Sequence, residues 1–212
     1  MLTDLRAARG ILFDFNGTLS DDETELAAAY GQALLDLGLP AMTPGEYESL
    51  LGMSEPDIAA ALVSRRGQPH LATRLLDEVC ARYVALCAQR PRVSDATVSF
   101  VRDLKQRGLR VGIVTGTLRQ LIEPVLAERG LAPLLDALVT VEDVAAGKPD
   151  PEGFLRGAEL LGLNPAEIVV FEDSPAGVRA AHAAGMSTIG IGQAAGCTPC
   201  YPTMDAAVAA LS

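Results

Sequence analysis

The chain has 212 residues, of which 49% are hydrophobic, and 27 acidic residues against 17 basic ones give a net charge of −10. That length and hydrophobic share support one well-packed core with a smaller second domain, and they exclude a disordered chain. The acidic balance excludes a broad basic face for nucleic acid or anionic membrane, but leaves room for a small anion in a local positive pocket.

In chain order, Gly10-Ile11-Leu12-Phe13 is a short apolar run that reads as a buried strand of a parallel sheet. It ends abruptly in Asp14, and Asn16-Gly17 then turns the chain. Ser20, Asp21 or Asp22 is a suitable N-cap for a helix over about 22–37, with acids in its first turn. Further helices fit near 46–51, 56–65 and 71–88, and no strand pattern occurs between Leu19 and Gln89. Arg90-Pro91-Arg92 reads as a linker that closes an all-helical insert.

From Ser94 onward the periodicity alternates. Helices are expected at 95–107, 118–129, 151–161, 176–184 and 205–211, and strands at 109–115, 137–141, 167–171 and 187–192. Alternating strands and helices predict an α/β fold with a parallel sheet covered on both faces. Functional groups in such a sheet gather at the carboxyl ends of the strands.

Those ends carry chemistry. The first strand ends in Asp14, the second in Thr115-Gly116-Thr117, and the fourth in Glu172-Asp173, with Gly147-Lys148-Pro149 just before it. Lysine occurs only at Lys105 and Lys148, in a chain whose other basic residues are arginine. Three carboxylates, a threonine and a lysine on one sheet edge fit phosphoryl transfer. The carboxylates suit Mg²⁺, Thr115, Lys148 and loop amides suit phosphate oxygens, and Asp14 is placed to attack phosphorus.

These four motifs resemble the haloacid dehalogenase-like hydrolase superfamily. They read Asp14-Phe-Asn16-Gly-Thr18, Thr115-Gly-Thr, Lys148-Pro and Glu172-Asp173, and the resemblance covers nearly the whole chain. It is closest to the group that includes β-phosphoglucomutase and phosphoglycolate phosphatase, in which a helical cap follows the first strand. The resemblance implies a Rossmann-like core over 1–19 and 91–212 and a helical cap over 20–90. It implies Asp14 as nucleophile and Thr115, Gly116 and Lys148 as phosphate binders. It also implies Mg²⁺ held by Asp14, Asp173 and the carbonyl of Asn16, with Glu172 near the metal. The loop Leu51-Gly52-Met53-Ser54-Glu55 resembles a substrate-facing cap loop, which makes Ser54 a candidate contact.

One position departs from the pattern. Hydrolytic members carry Asp at position 16, which protonates the leaving oxygen and later activates water, and Asn16 can do neither. Asp21, Asp22 and Glu23 are read mainly as capping acids. Mutases of this group have a histidine at the place of Leu26 and a cap arginine near Glu55, and both are missing. The cap has no lysine for Schiff-base chemistry. The expected activity is therefore Mg²⁺-dependent hydrolysis of a small phosphorylated metabolite, through an aspartyl phosphate, by a monomer or homodimer. A non-catalytic phosphate-binding relative and a sugar phosphomutase are the alternatives.

No apolar run approaches the ~20 residues of a membrane helix. The first strand begins within ten residues of an N-terminus that contains Asp4, so no signal peptide is read there, and a cytoplasmic location is the expectation. Cys80 and Cys87 are expected to share a buried helix face. Cys197-Thr-Pro-Cys200 is a lone CxxC without partners for a closed zinc site. Arg65, Arg66, His70 and His182 read as solvated helix residues.

Overall fold

A computed structural model describes residues 5, 7–192 and 199–211. Its six strands are β1 (Gly10–Phe13), β2 (Arg110–Val114), β3 (Ala137–Val139), β4 (Ile168–Glu172), β5 (Ser187–Ile191) and β6 (Cys200–Tyr201). They form one sheet in the order β3-β2-β1-β4-β5-β6, and every pairing is parallel. The strand order reverses at β1, which lies between β2 and β4. A crevice is expected at the carboxyl ends of strands beside such a reversal.

The period of two along β1 divides the core. Ile11 and Phe13 face one side, where Phe13 stacks on Phe171 with ring centroids 4.9 Å apart. Leu12 faces the other side and packs with Val114, Val170 and Phe154. Four helices beside the sheet are α4 (Asp95–Gln106), α5 (Arg119–Glu128), α6 (Glu152–Leu161) and α7 (Pro175–Ala183), and α8 (Met204–Leu211) ends the chain. Gly112 lets β2 sit close to its neighbours: a Cβ there would lie 2.8 Å from Ala137 Cβ and 3.0 Å from the Ala137 carbonyl oxygen.

Between β1 and α4 every regular element is helical: α1 (Glu23–Asp36), α2 (Glu55–Ser64), α3 (Ala72–Gln89) and two 3₁₀ turns. α3 packs against α1, α2 and α5, and Cys80 and Cys87 lie on its buried face with Leu75, Val79 and Tyr83. The buried apolar residues run without a break from Ile11 and Phe13 through α4 and α5 into Tyr30, Leu62 and Tyr83.

Three expectations are corrected. Arg66 is not a solvated residue. Its side chain is buried, its guanidinium bonds both oxygens of Glu46 at 2.9 and 3.0 Å, and it donates to the carbonyls of Pro40, Ala41 and Leu62. That pairing ties the segment after α1 to the end of α2 and pulls the Glu46 carboxyl down to about 2. The strand β6 was not expected, because two residues are too few for a periodicity signal. Asp22 occupies the N-cap position of α1 but makes no side-chain cap bond. The CxxC reading lies partly outside the described residues, since Cys197 is not among them; Cys200 begins β6 and is exposed. Among the described residues, no helix is long and apolar enough to cross a membrane.

Gly112→Ala tests the sheet packing. The added methyl meets backbone, which cannot rotate away, and overpacking of this kind typically costs about 1–3 kcal/mol. For a chain of this size the melting temperature is expected to fall by roughly 2–12 °C. An unchanged melt would show that β2 and β3 are free to separate.

Candidate active site

The strand register brings the motifs together. The Asp14 amide donates to the Phe171 carbonyl at 2.9 Å, so Asp14 leaves β1 at the level where β4 reaches Glu172. Oxygens of Asp14, Glu172 and Asp173 all lie within 4.8 Å of one another. Lys148 Nζ lies within hydrogen-bond distance of Asp14 Oδ1 and 2.7 Å from Glu172 Oε2, with the Phe154 ring 5.2 Å away.

Each acid is held in place. Glu172 Oε1 accepts from the Ser174 hydroxyl at 2.8 Å and from its amide at 3.1 Å, while Ser174 Oγ also caps α7 by accepting from the Gly177 amide. Asp173 Oδ1 accepts from Thr18 Oγ1 at 2.9 Å. Two glycines make the room. A Cβ at Gly177 would lie 2.1 Å from Glu172 Cδ, and one at Gly17, whose φ is +73°, would lie 2.5 Å from Asp173 Oδ2.

Burial lifts the Asp14 carboxyl well above its ordinary range, with the Lys148 charge working against that and Glu172 and Asp173 adding to it. Burial and the neighbouring Glu172 charge push Asp173 up to about 7. Burial alone would lower the Lys148 ammonium, but the charges of Asp14 and Glu172 overcome it and raise it. Two buried carboxylates, Asp14 and Glu172, thus share one lysine, with the partly buried Asp173 close by. The negative charge left over, on hard oxygen donors, fits a small divalent cation such as Mg²⁺.

The remaining expected residues line the same cavity. Its wall includes Asn16, Ser54, Thr115, Gly116, Thr117, Lys148 and Ser174, with Glu23, Tyr47 and Glu55 from the helical insert. Thr115 Oγ1 accepts from the Thr117 amide at 3.2 Å, and the Thr115 amide bonds the Val139 carbonyl at 3.0 Å. The insert touches the core at this point: the Glu55 amide donates to the Gly116 carbonyl at 3.1 Å, and Ser54 N-caps α2 directly over Gly116.

Asn16 is placed differently from its sequence neighbours. Its side chain is committed to others, Oδ1 accepting from Thr117 Oγ1 and Nδ2 donating to Asp22 Oδ2 at 2.9 Å. Asp22 is fully buried, and the Tyr83 hydroxyl also donates to its Oδ2. Burial pushes it up to about 6, and its Oδ1 has no partner among the described residues. The capping reading of Asp22 therefore gives way to a polar chain of Thr117, Asn16, Asp22 and Tyr83, which links the loop after β2 to α1 and α3.

Glu23 was also read as a capping acid, yet it lines the cavity and accepts from the Tyr47 hydroxyl at 3.3 Å. Glu55 lies in a loop the sequence singled out, but its buried carboxylate, bonded by the Tyr30 hydroxyl at 2.5 Å, was not foreseen. Burial pushes both glutamates up to about 7. Thr18 and Thr117 sit inside the recognised motifs and could have been named from them. Tyr30, Tyr47 and Tyr83 carry no sequence signal.

These raised carboxyls have a thermodynamic consequence. Between about pH 4 and 7 the folded chain holds protons that the unfolded chain has released, so stability falls as pH rises through that window, by up to about 1.4 kcal/mol per pH unit for each group. Thermal melts in chelator are expected to show higher stability near pH 5.5 than near pH 7.5. Asp22→Asn, with its folded value near 6, and Glu55→Gln, with its value near 7, should each flatten that slope. A wild-type stability that rises across this interval would contradict the assignment.

Residues 8–185 match the sequence model of the haloacid dehalogenase-like hydrolases. The chain is 33% identical over 184 residues to the validoxylamine A 7'-phosphate phosphatase of Streptomyces hygroscopicus subsp. limoneus, covering 85% of this chain and 84% of that protein. It is 31% identical over 197 residues to a plasmid-encoded phosphoglycolate phosphatase of Cupriavidus necator, covering 83% and 77%. Its fold matches the crystal structure of CbbY from Rhodobacter sphaeroides in complex with phosphate, with a TM-score of 0.84 and 23% identity over 93% of this chain and 95% of that one. With the profile spanning both the sheet and the helical insert, the chain belongs to the haloacid dehalogenase-like hydrolase family.

Proposed function

We propose that the protein is a Mg²⁺-dependent phosphatase of a small phosphorylated metabolite, acting through an aspartyl phosphate on Asp14. The observation that carries this reading is the cluster of Asp14, Glu172 and Asp173, the first two paired with Lys148, at the strand-order reversal. The relatives named as phosphatases support it.

Asp14 and Asp173 would hold the cation with the Asn16 backbone carbonyl, since the Asn16 side chain is already engaged; Glu172 would stand beside it. A bound Mg²⁺ supplies charge neutralisation between the carboxylates and the phosphate and polarises a phosphoryl oxygen. Lys148 and the Gly116 amide take phosphate oxygens, and Thr115, whose hydroxyl also accepts from Thr117, lines the same space. Asp14 Oδ attacks phosphorus, the bond to the leaving oxygen breaks, and water later cleaves the acyl phosphate. Residues 20–90 act as a cap that excludes water when Glu55 meets Gly116, and that opens to admit substrate. With no histidine or arginine at Leu26 and Glu55, hydrolysis is favoured over mutase chemistry.

Asp14→Asn is expected to abolish release of phosphate from p-nitrophenyl phosphate. Intact-mass measurement after mixing with acetyl phosphate and Mg²⁺ should show a phosphate adduct that Asp14→Ala lacks. Tight phosphate binding with neither turnover nor adduct would favour a non-catalytic sensor.

Asn16→Asp restores a proton-transfer group, whose presence is typically worth ~10²–10⁴ in rate. Here it also sets a carboxylate 2.9 Å from Asp22 Oδ2, where an amide donor stood. The double variant Asn16→Asp/Asp22→Asn is therefore expected to turn over faster than either single variant. If the single Asn16→Asp variant already gains the full increase, the Asp22 contact does not oppose it.

A further inference from the structure

The phosphate end of the cavity has a cationic side chain in Lys148, but the end formed by the cap has none. The cap contributes Glu23, Tyr47, Leu51, Gly52, Met53, Ser54, Glu55 and Ile58 to the lining, with no arginine, lysine or histidine among them. Neither Glu23 nor Glu55 makes an ion pair with any described residue. Among the described residues, their only side-chain donors are the hydroxyls of Tyr47 and Tyr30. Leu51 and Met53 are 47% and 44% exposed, so the same loop offers an apolar rim.

We propose that this cap subsite selects a phosphate ester whose leaving alcohol carries an ammonium group, with Glu55 as the principal contact and Glu23 as the second. The inference rests on the phosphatase reading above and names its substrate class. A leaving group with a carboxylate or a second phosphate would meet two carboxyl groups that have no cationic partner among the described residues, and bringing like charges together disfavours it. An alkyl ammonium supplies the missing partner, and hydrogen bonds between charged groups are the strong ones. The Tyr30 hydroxyl bonds Glu55 Oε2, so the carboxylate is oriented before the ligand arrives. Glu55 is also the residue whose amide meets Gly116. Capture of the cation is thereby coupled to the contact that closes the cap over the phosphate.

The test compares matched esters at two lengths. The short series is phosphoethanolamine, 2-hydroxyethyl phosphate and phosphoglycolate. The long series is glucosamine 6-phosphate, glucose 6-phosphate and 6-phosphogluconate. In the series that turns over faster, kcat/KM is expected to fall at least tenfold from the ammonium ester to the neutral ester, and further to the carboxylate ester. Glu55→Gln should collapse the ammonium-to-neutral ratio toward one, and Glu23→Gln should reduce it partly; thermal melts confirm that each variant is folded. Ratios unchanged in both folded variants, or a preference for the neutral or carboxylate ester, overturn the proposal while turnover of p-nitrophenyl phosphate leaves the phosphatase reading standing. No turnover of any ester, p-nitrophenyl phosphate included, overturns both.

Discussion

Lys148 Nζ sits between Asp14 and Glu172, both buried, in a site where a third carboxylate, Asp173, stands close by. A carboxylate removed from water without compensation is far too costly to keep. The ammonium, the Thr18 and Ser174 hydroxyls and the Ser174 amide offset part of that cost. The remainder is what suits the site to the proposed chemistry: the excess negative charge would favour a divalent cation, and such a cation would offset the repulsion between these carboxylates and a phosphate dianion. The sheet serves this arrangement directly. Parallel pairing of β1 with β4 sets Asp14 beside Glu172, and small residues at Gly17 and Gly177 leave the acids their space.

The helical insert is fastened to the core by polar contacts near that site. The chain of Thr117, Asn16, Asp22 and Tyr83 runs from the loop after β2 into α1 and α3, and the Glu55 amide reaches Gly116. Hydrogen bonds are individually modest and exchange readily with water, whereas apolar packing does not. If the insert moves as the proposed cap, an edge held by a few such bonds would let it open without unfolding its own core. The apolar residues continuous with α4 and α5 keep it anchored on the other side.

Asn16 and Asp22 are best understood together. An amide at 16 can donate to a buried carboxylate at 22, and an aspartate at 16 could not do so while ionised. Asn16 therefore sits in a local electrostatic arrangement that suits an amide. Asp22 keeps one oxygen without a partner among the described residues and a carboxyl raised to about 6, so this arrangement costs stability at neutral pH.

The sequence by itself determined the alternation of strands and helices, the all-helical stretch between β1 and β2, and the strand-end residues Asp14, Thr115, Lys148, Glu172 and Asp173. These were legible because they rest on local causes: apolar periodicity, glycine punctuation, and motifs a few residues long. The two-residue β6 was too short to leave a pattern. Arg66, Asp22, Glu23 and Glu55 were misread or passed over, because a charged residue near a helix end has the same local signature whether it caps, faces water or enters a cavity. What separates these cases is a partner distant in sequence. Glu46 and three carbonyls bury Arg66, Tyr83 from 61 residues away claims Asp22, and Tyr30 and Tyr47 orient Glu55 and Glu23. Only the packing of α1, α2 and α3 over the sheet edge brings those partners within reach.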